Sequence, residues 1–262
     1  MTRKDDNDGF GDWRIHTVLT LGKDIPPAYP GGPSHKAGAP MYLSSVAKHR
    51  EHRYLGFATP DPTALALDIA YDASIKATKL RGSLVLKDVV GPNGSGKTIT
   101  EENLPYLYDF FENCMIAVTF SFQALETFAN LIISVELESK PIPIKRKDKV
   151  IEYFSEEAER NLSTEEKFFE VLPKLKGISI KKGSGAGQDF ITLQKTRNST
   201  IHLKSMDVWS NPDKLDKDSL FFKFLNTEPK LYPYLAMNVI KHFSPENPRW
   251  LKNFVEIQEQ LL

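Results

Sequence analysis

Two short stretches of this 262-residue chain carry residue types at spacings suited to phosphate chemistry. In the first, Gln194-Lys195-Thr196-Arg197-Asn198-Ser199-Thr200-Ile201-His202, an arginine, a polar residue and a histidine fall within two helical turns. A guanidinium is always charged and can hold a phosphate through two parallel hydrogen bonds. An imidazole takes or gives a proton near neutral pH. Together these meet the needs of metal-free RNA cleavage: activation of a 2′-hydroxyl and neutralisation of charge developing on the phosphate. Lys195 and Lys204 flank the pair and could grip an RNA backbone without regard to sequence. Residues five apart on an ideal helix differ in direction by about 140°. Arg197 and His202 therefore reach one cleft only through arginine's length, a helix distortion or a second subunit.

The second stretch, Gly91-Pro92-Asn93-Gly94-Ser95-Gly96-Lys97-Thr98, satisfies the phosphate-loop pattern. There Gly91, Gly96, Lys97 and Thr98 would bind a nucleotide, with backbone N–H groups cradling phosphates and the lysine reaching the outer ones. These eight residues resemble the nucleotide-binding loop of ABC-type ATPases, but none of that family's downstream motifs follows. A phosphate-loop fold also needs a parallel sheet with crossover helices and an aspartate for magnesium after an apolar strand. The residues after Thr98 read as helical almost throughout, with Ile99, a new cap at Thr100, and Pro105. The preferred reading is a Gly/Asn/Pro turn between a strand and a long helix.

Several elements must position these residues. Apolar residues at Leu107, Phe111, Cys114, Val118, Phe122, Leu125, Ala129 and Ile132 predict a long helix with one buried face, beginning at Thr100 and stopped by Lys140-Pro141-Ile142-Pro143. Ser163 with Glu166 predicts a capping box and a second helix over 164–175, ended by Gly177. A flexible Gly183–Gly187 connection leads to a third helix over about 188–204, then a fourth over about 232–243 and a closing helix over 248–262. The N-terminal third differs. Pro26, Pro27, Pro30, Pro33, Pro40, Pro60 and Pro62 predict loops and short extended pieces. Strands are expected over 13–21 and 82–90, and a helix over 61–79 capped by Asp61. The division expected is residues 1–99 as an N-terminal region and 100–262 as a helical bundle.

The helical order resembles that of HEPN domains. Arg197-Asn198 and then His202 on the third helix are similar to that family's Arg-x(4–6)-His motif, in which a polar residue follows the arginine. Phe122–Asn130 looks like the first core helix of such domains and Leu162–Leu172 like the second. The likeness spans about 160 residues and leaves the N-terminal third unaccounted for. It implies a mainly α fold, a HEPN-like four- or five-helix bundle preceded by an irregular, proline-rich region with short strands. It further implies a homodimer whose motif helices meet at a cleft. Many such domains are metal-independent endoribonucleases of bacterial toxin–antitoxin or phage-defence systems, cutting RNA to a 2′,3′-cyclic phosphate. Others are non-catalytic modules that bind RNA, nucleotide or protein. By position Arg197 and His202 would be catalytic and Asn198 supporting, with Glu126 a secondary residue orienting the arginine. A toxin would also need an antitoxin or other regulatory protein. No cofactor is implied.

Composition leaves these readings open. Lysine plus arginine equals aspartate plus glutamate at 34 each, so any basic surface is local. The single cysteine, Cys114, sits in an apolar stripe; it argues against a disulfide framework and for a reducing compartment. The polar N-terminus has no secretory pattern, and no uninterrupted apolar run approaches the length of a membrane span, so a cytoplasmic protein is expected. His49 and His52 have a spacing that metals sometimes use. With three cations beside them and no third ligand foreseen, they read as a solvated basic segment touching phosphate, and no metal site is expected. Lys145–Lys149 reads as a solvated loop or helix start, and Trp209 as a core or hinge residue that could instead stack on a base.

Overall fold

Asp61 shows how the first long helix starts. Its Oδ1 accepts from the backbone N–H groups of Thr63 and Ala64 at 2.8 and 3.0 Å, occupying donors that a helix start leaves unpaired. Helix α1, Pro62–Gly82, follows with proline in its first turn. The computed structural model describes residues 12–27, 29–30, 32, 34–91, 94–137, 140–147, 149–208, 219–244, 248–252 and 254. Its architecture is mainly α with short antiparallel strand pairs. Contacts divide the chain into two units, Met1–Leu65 with Glu246–Leu262, and Ala66–Pro245.

In the first unit, β1 (Thr17–Thr20) pairs with β2 (Pro40–Tyr42), and β3 (Ser44–Ala47) with β4 (Leu55–Ala58). Between β1 and β2, Pro26, Pro27 and Pro30 lie outside any strand, as their fixed φ and missing N–H favour. Trp13 is buried and its ring lies 6.0 Å from that of Phe254. His16 Nδ1 lies 3.1 Å from Asp61 Oδ2, so one carboxylate caps the helix and holds the preceding segment. Of the expected closing helix, residues 249–252 and 254 are helical; 253 and 255–262 lie outside the described residues, as do 1–11.

In the second unit, β5 (Leu86–Gly91) and β6 (Gly94–Ile99) form an antiparallel hairpin. A 3₁₀ turn at Glu101–Asn103 then leads into α2, Leu104–Glu136. The α-helix thus begins four residues after the expected cap, and Thr100 makes no side-chain capping bond. The buried face of α2 is wider than the three-four stripe predicts, although Leu107, Phe111 and Ile132 of that stripe are only partly buried. It adds Phe110, Ala117, Ala124, Phe128 and Ile133, because α6 and α9 both pack on it. With the preceding turn, α2 is long and apolar enough to cross a membrane, which corrects the expectation drawn from uninterrupted runs. Half of that apolar stretch is buried inside the protein, as in the core helix of a folded domain.

In the basic segment over 145–149, Lys145, Arg146 and Lys149 lie in strands and Lys147 in the turn between them, rather than at a helix start. β7 (Ile142–Arg146) and β8 (Lys149–Tyr153) form a hairpin in which Ile142 and Ile144 are buried and Pro143 and Lys145 exposed. That alternation is the period-two pattern of a half-buried strand. After α3 (Ser155–Asn161), the capping box at Ser163 and Glu166 forms as the spacing predicts. The second helix follows as α4 (Thr164–Glu166), a π-helical stretch (Lys167–Val171) and α5 (Leu172–Lys176). Gly177 ends it in the left-handed region at φ 65°.

The third helix, α6, spans Gly185–Ile201. Its glycine-rich start is helical rather than a flexible connection, for a steric reason. A Cβ at Gly187 would stand 1.9 Å from the Lys181 carbonyl oxygen, so only glycine lets the helix start this close to the preceding backbone. Short helices α7 (Ser205–Val208) and α8 (Leu220–Asn226) precede α9 (Leu231–Phe243). Trp209 lies outside the described residues. Rings from four segments meet in the core: Phe122 of α2, Phe168 of the π-helical stretch, Phe190 of α6 and Phe243 of α9. Neighbouring centroids are 6.0 Å (Phe122–Phe190), 5.1 Å (Phe168–Phe190) and 5.7 Å (Phe168–Phe243). Gly187→Ala should cost about 1–3 kcal/mol through overpacking, seen as a lower urea midpoint; an unchanged midpoint would show that the helix start can shift.

Candidate functional site

The C-terminal half of α6 concentrates positive charge. Between Asp189 and Asp207 there is no acidic residue, while Lys195, Arg197 and Lys204 all fall there with His202. Lys195 and Lys204 are exposed and Arg197 is partly buried. The Arg197 guanidinium lies over the Phe122 ring, 5.1 Å from its centroid. One of its terminal nitrogens donates to Asn198 Oδ1 at 3.2 Å. Phe122 is itself 5% exposed and rests on Phe190, so the arginine is stacked on the aromatic core. Such stacking contributes about 0.5–2 kcal/mol, and among the described residues Asn198 is the one hydrogen-bond partner of the guanidinium.

Among the described residues no carboxylate pairs with Arg197. Of the other arginines of this unit, Arg81 pairs with Glu228 and Arg146 with Glu166, while the exposed Arg160 has no carboxylate partner among the described residues. The carboxylate that does reach α6 is Glu165. It accepts from Gln194 Nε2 at 3.3 Å and pairs with Lys182. The hydrogen bond from Lys182 holds the Glu165 carboxyl below its ordinary range, so it is an anion already occupied.

His202 stands beyond the last helical turn. It is the C-cap, at φ −115° and ψ 71°, and its backbone N–H donates to Asn198 O at 2.9 Å. The ideal-helix angle does not apply to it, because the histidine backbone is not helical. Its side chain is exposed, and neither a hydrogen bond nor an ion pair joins it to Arg197 among the described residues. Within one chain the two groups share a segment without touching. Beside them, α2, the end of α6 and α8 enclose an open apolar groove of about 890 Å³, lined by Phe111, Met115, Phe120, Ile201 and Phe221 among others.

Glu126 lies one turn beyond Phe122 on α2, and its charge acts on Lys167. Lys167 is a residue that periodicity did not single out. It is 1% exposed, and its Nζ donates to Asn130 Oδ1 at 2.8 Å and to the Glu159 carbonyl at 2.7 Å. The sequence signal was a lysine four residues before Val171, on the buried face of the helix. Burial pushes this amine below its ordinary value, while Glu126 and Glu159 act in the opposite sense.

Comparison with family models, with characterised proteins and with solved structures finds no match. The geometry therefore stands alone.

The residues of the phosphate-loop pattern do not form a phosphate loop. Gly91 pairs with Gly94 at the end of the hairpin, and Gly94–Ile99 is a strand where a phosphate loop needs a helix N-terminus. Gly96, Lys97 and Thr98 face Val89, Asp88 and Lys87 across the ladder, and Lys97 Nζ lies 3.3 Å from Asp88 Oδ1. Cys114 is fully buried on α2, and burial pushes its thiol up to about 12, which leaves no thiolate for nucleophilic chemistry. His49 and His52, by contrast, do meet a third group, Glu51.

Lys167 gives a measurable pH signature. Its folded-state value lies below that of the unfolded chain, so the unfolded chain retains the proton at pH values where the folded one has lost it. Stability attributable to this group therefore rises as pH climbs from the folded value toward the ordinary lysine value. Urea unfolding across that alkaline range should show the rise in wild type and its loss in Lys167→Met. Parallel pH profiles for the two proteins would contradict this.

Proposed function

We propose that the chain is a metal-independent endoribonuclease of HEPN type, acting as a homodimer, with Arg197 and His202 as its catalytic pair. The observation that carries this reading is Arg197: a partly buried guanidinium, stacked on Phe122 and steadied by Asn198, without a carboxylate partner among the described residues. Such a group is poised for an anion with two oxygens to offer, and a phosphodiester has that form. Lys195 and Lys204 add sequence-independent grip on the backbone. The groove beside Ile201 offers aromatic and apolar surface on which an unstacked base can lie.

In the reaction, the His202 imidazole takes the proton of a 2′-hydroxyl. The 2′-oxygen attacks the adjacent phosphorus, the P–O5′ bond breaks, and the 5′-oxygen takes a proton from water or from the imidazolium that His202 has become. Arg197 neutralises the charge that builds on the non-bridging oxygens, and the product is a 2′,3′-cyclic phosphate. Because Arg197 and His202 do not touch within one chain, a second copy completes the cleft. A bacterial toxin–antitoxin or phage-defence setting, with an antitoxin or regulatory protein as restraint, fits this activity.

The test is incubation of the purified protein with RNA in EDTA. Wild type should cleave, and Arg197→Ala and His202→Ala should each lose about 10²-fold or more. Arg197→Lys keeps the charge but not the paired donors, and should recover only part of the rate. Equal cleavage by wild type and variants would refute the reading. RNA binding without cleavage in any of them would favour a non-catalytic RNA-binding module, to which the separation of Arg197 and His202 within one chain lends itself.

A further inference from the structure

Residues 48–54 close the β3–β4 hairpin, whose register runs from Ser44↔Ala58 to Ala47↔Leu55. Lys48-His49-Arg50-Glu51-His52-Arg53 crosses this tip, with every residue exposed except His49, which is partly so. The tight return of the chain brings together three groups that a helix or strand would spread apart. His49, Glu51 and His52 each offer one ligand atom, and these atoms lie within 4.8 Å of one another. The two imidazoles are stacked, with centroids 5.2 Å apart and planes at 19°. The Glu51 backbone N–H donates to His49 Nδ1 at 3.2 Å, so that nitrogen carries a lone pair rather than a proton, the form in which imidazole binds metal.

We propose that this hairpin tip binds one divalent transition-metal ion through His49, Glu51 and His52. The ligand set selects the metal. Two imidazoles and one carboxylate suit zinc, cobalt, nickel or copper, whereas calcium and magnesium require oxygen ligands throughout. Bonds of about 2.0–2.1 Å in tetrahedral geometry place ligand atoms roughly 3.3 Å apart. The exposed side chains therefore close by little more than an ångström, and the metal replaces the hydrogen bond at His49. Three protein ligands leave a coordination position for water, as in two-histidine, one-carboxylate zinc sites.

The neighbouring cations set the strength of the site rather than its location. Arg50 Nε lies 3.5 Å from Glu51 Oε1, and Arg53 lies over the Tyr54 ring at 5.4 Å. A metal must displace Arg50 from Glu51 and then sit near Lys48, Arg50 and Arg53, so binding weakens at low ionic strength and as acid protonates the imidazoles. This site is independent of the RNA reading, which concerns a different unit and operates in chelator.

Titration of the metal-free full-length protein with zinc chloride, followed by calorimetry, tests the proposal, and visible absorption of bound cobalt supplies a second readout. One equivalent should bind to wild type and to His35→Ala. His49→Ala and His52→Ala should each weaken binding by at least the roughly 10–100-fold that disturbing a ligand's outer-shell partner costs. Glu51→Gln should weaken it and change the cobalt spectrum. Circular dichroism of each variant confirms that the exposed tip tolerates the change. Failure of wild type to take up zinc or cobalt, or equal uptake by wild type and the His49→Ala/His52→Ala double variant, would overturn the proposal.

Discussion

Phe190 is the ring on which the second unit closes. It touches Phe122 of α2 and both Phe168 and Phe169 of the π-helical stretch, and through Phe168 it is linked to Phe243 of α9. Burying a side chain of this size contributes about 1.5–3 kcal/mol, and truncating one to alanine costs about 3–5 kcal/mol. The ring under Arg197 is therefore held as firmly as the core. Gly187, three residues before Phe190, fixes where α6 begins and hence which ring enters the cluster.

That rigidity matters because of the charge resting on it. Arg81 and Arg146 each meet a carboxylate, whereas Arg197 meets the face of an aromatic ring and a neutral amide. A ring quadrupole offsets part of the cost of partial burial but cannot neutralise the charge. Glu165, which reaches α6 only one turn away, is held by Lys182 and Gln194. Glu126, the residue that the family resemblance would use to orient the arginine, acts electrostatically on buried Lys167. Neither Glu165 nor Glu126 is paired with the Arg197 guanidinium among the described residues.

Much of the helical framework was legible in the sequence, because apolar periodicity and capping chemistry are local. Asp61, Ser163 with Glu166, and Gly177 mark helix ends as their residue types require. The hairpins were harder to read. Pro141 and Pro143 disguised β7, whose burial alternates only once Ile142 and Ile144 pack inward. Gly91–Thr98 matched a phosphate loop letter for letter, yet the cross-strand partners of Ser95–Thr98, Lys87–Val90, lie before the match and decide its conformation. The platform under Arg197 was beyond local reading, since Phe122 and Arg197 are distant in sequence and meet only when α2 and α6 pack. His202 illustrates the converse: an ideal-helix angle does not apply to a residue that has left the helix.

The proposed role of Arg197 is to hold phosphate, as a guanidinium with no carboxylate partner among the described residues. It is tested most directly by the salt dependence of binding to an RNA oligonucleotide whose 2′-hydroxyls are blocked against cleavage. Wild type should bind more tightly than Arg197→Gln, and removing this one phosphate contact should reduce the slope of log K against log salt by about one. Identical affinities and slopes for the two proteins would contradict it.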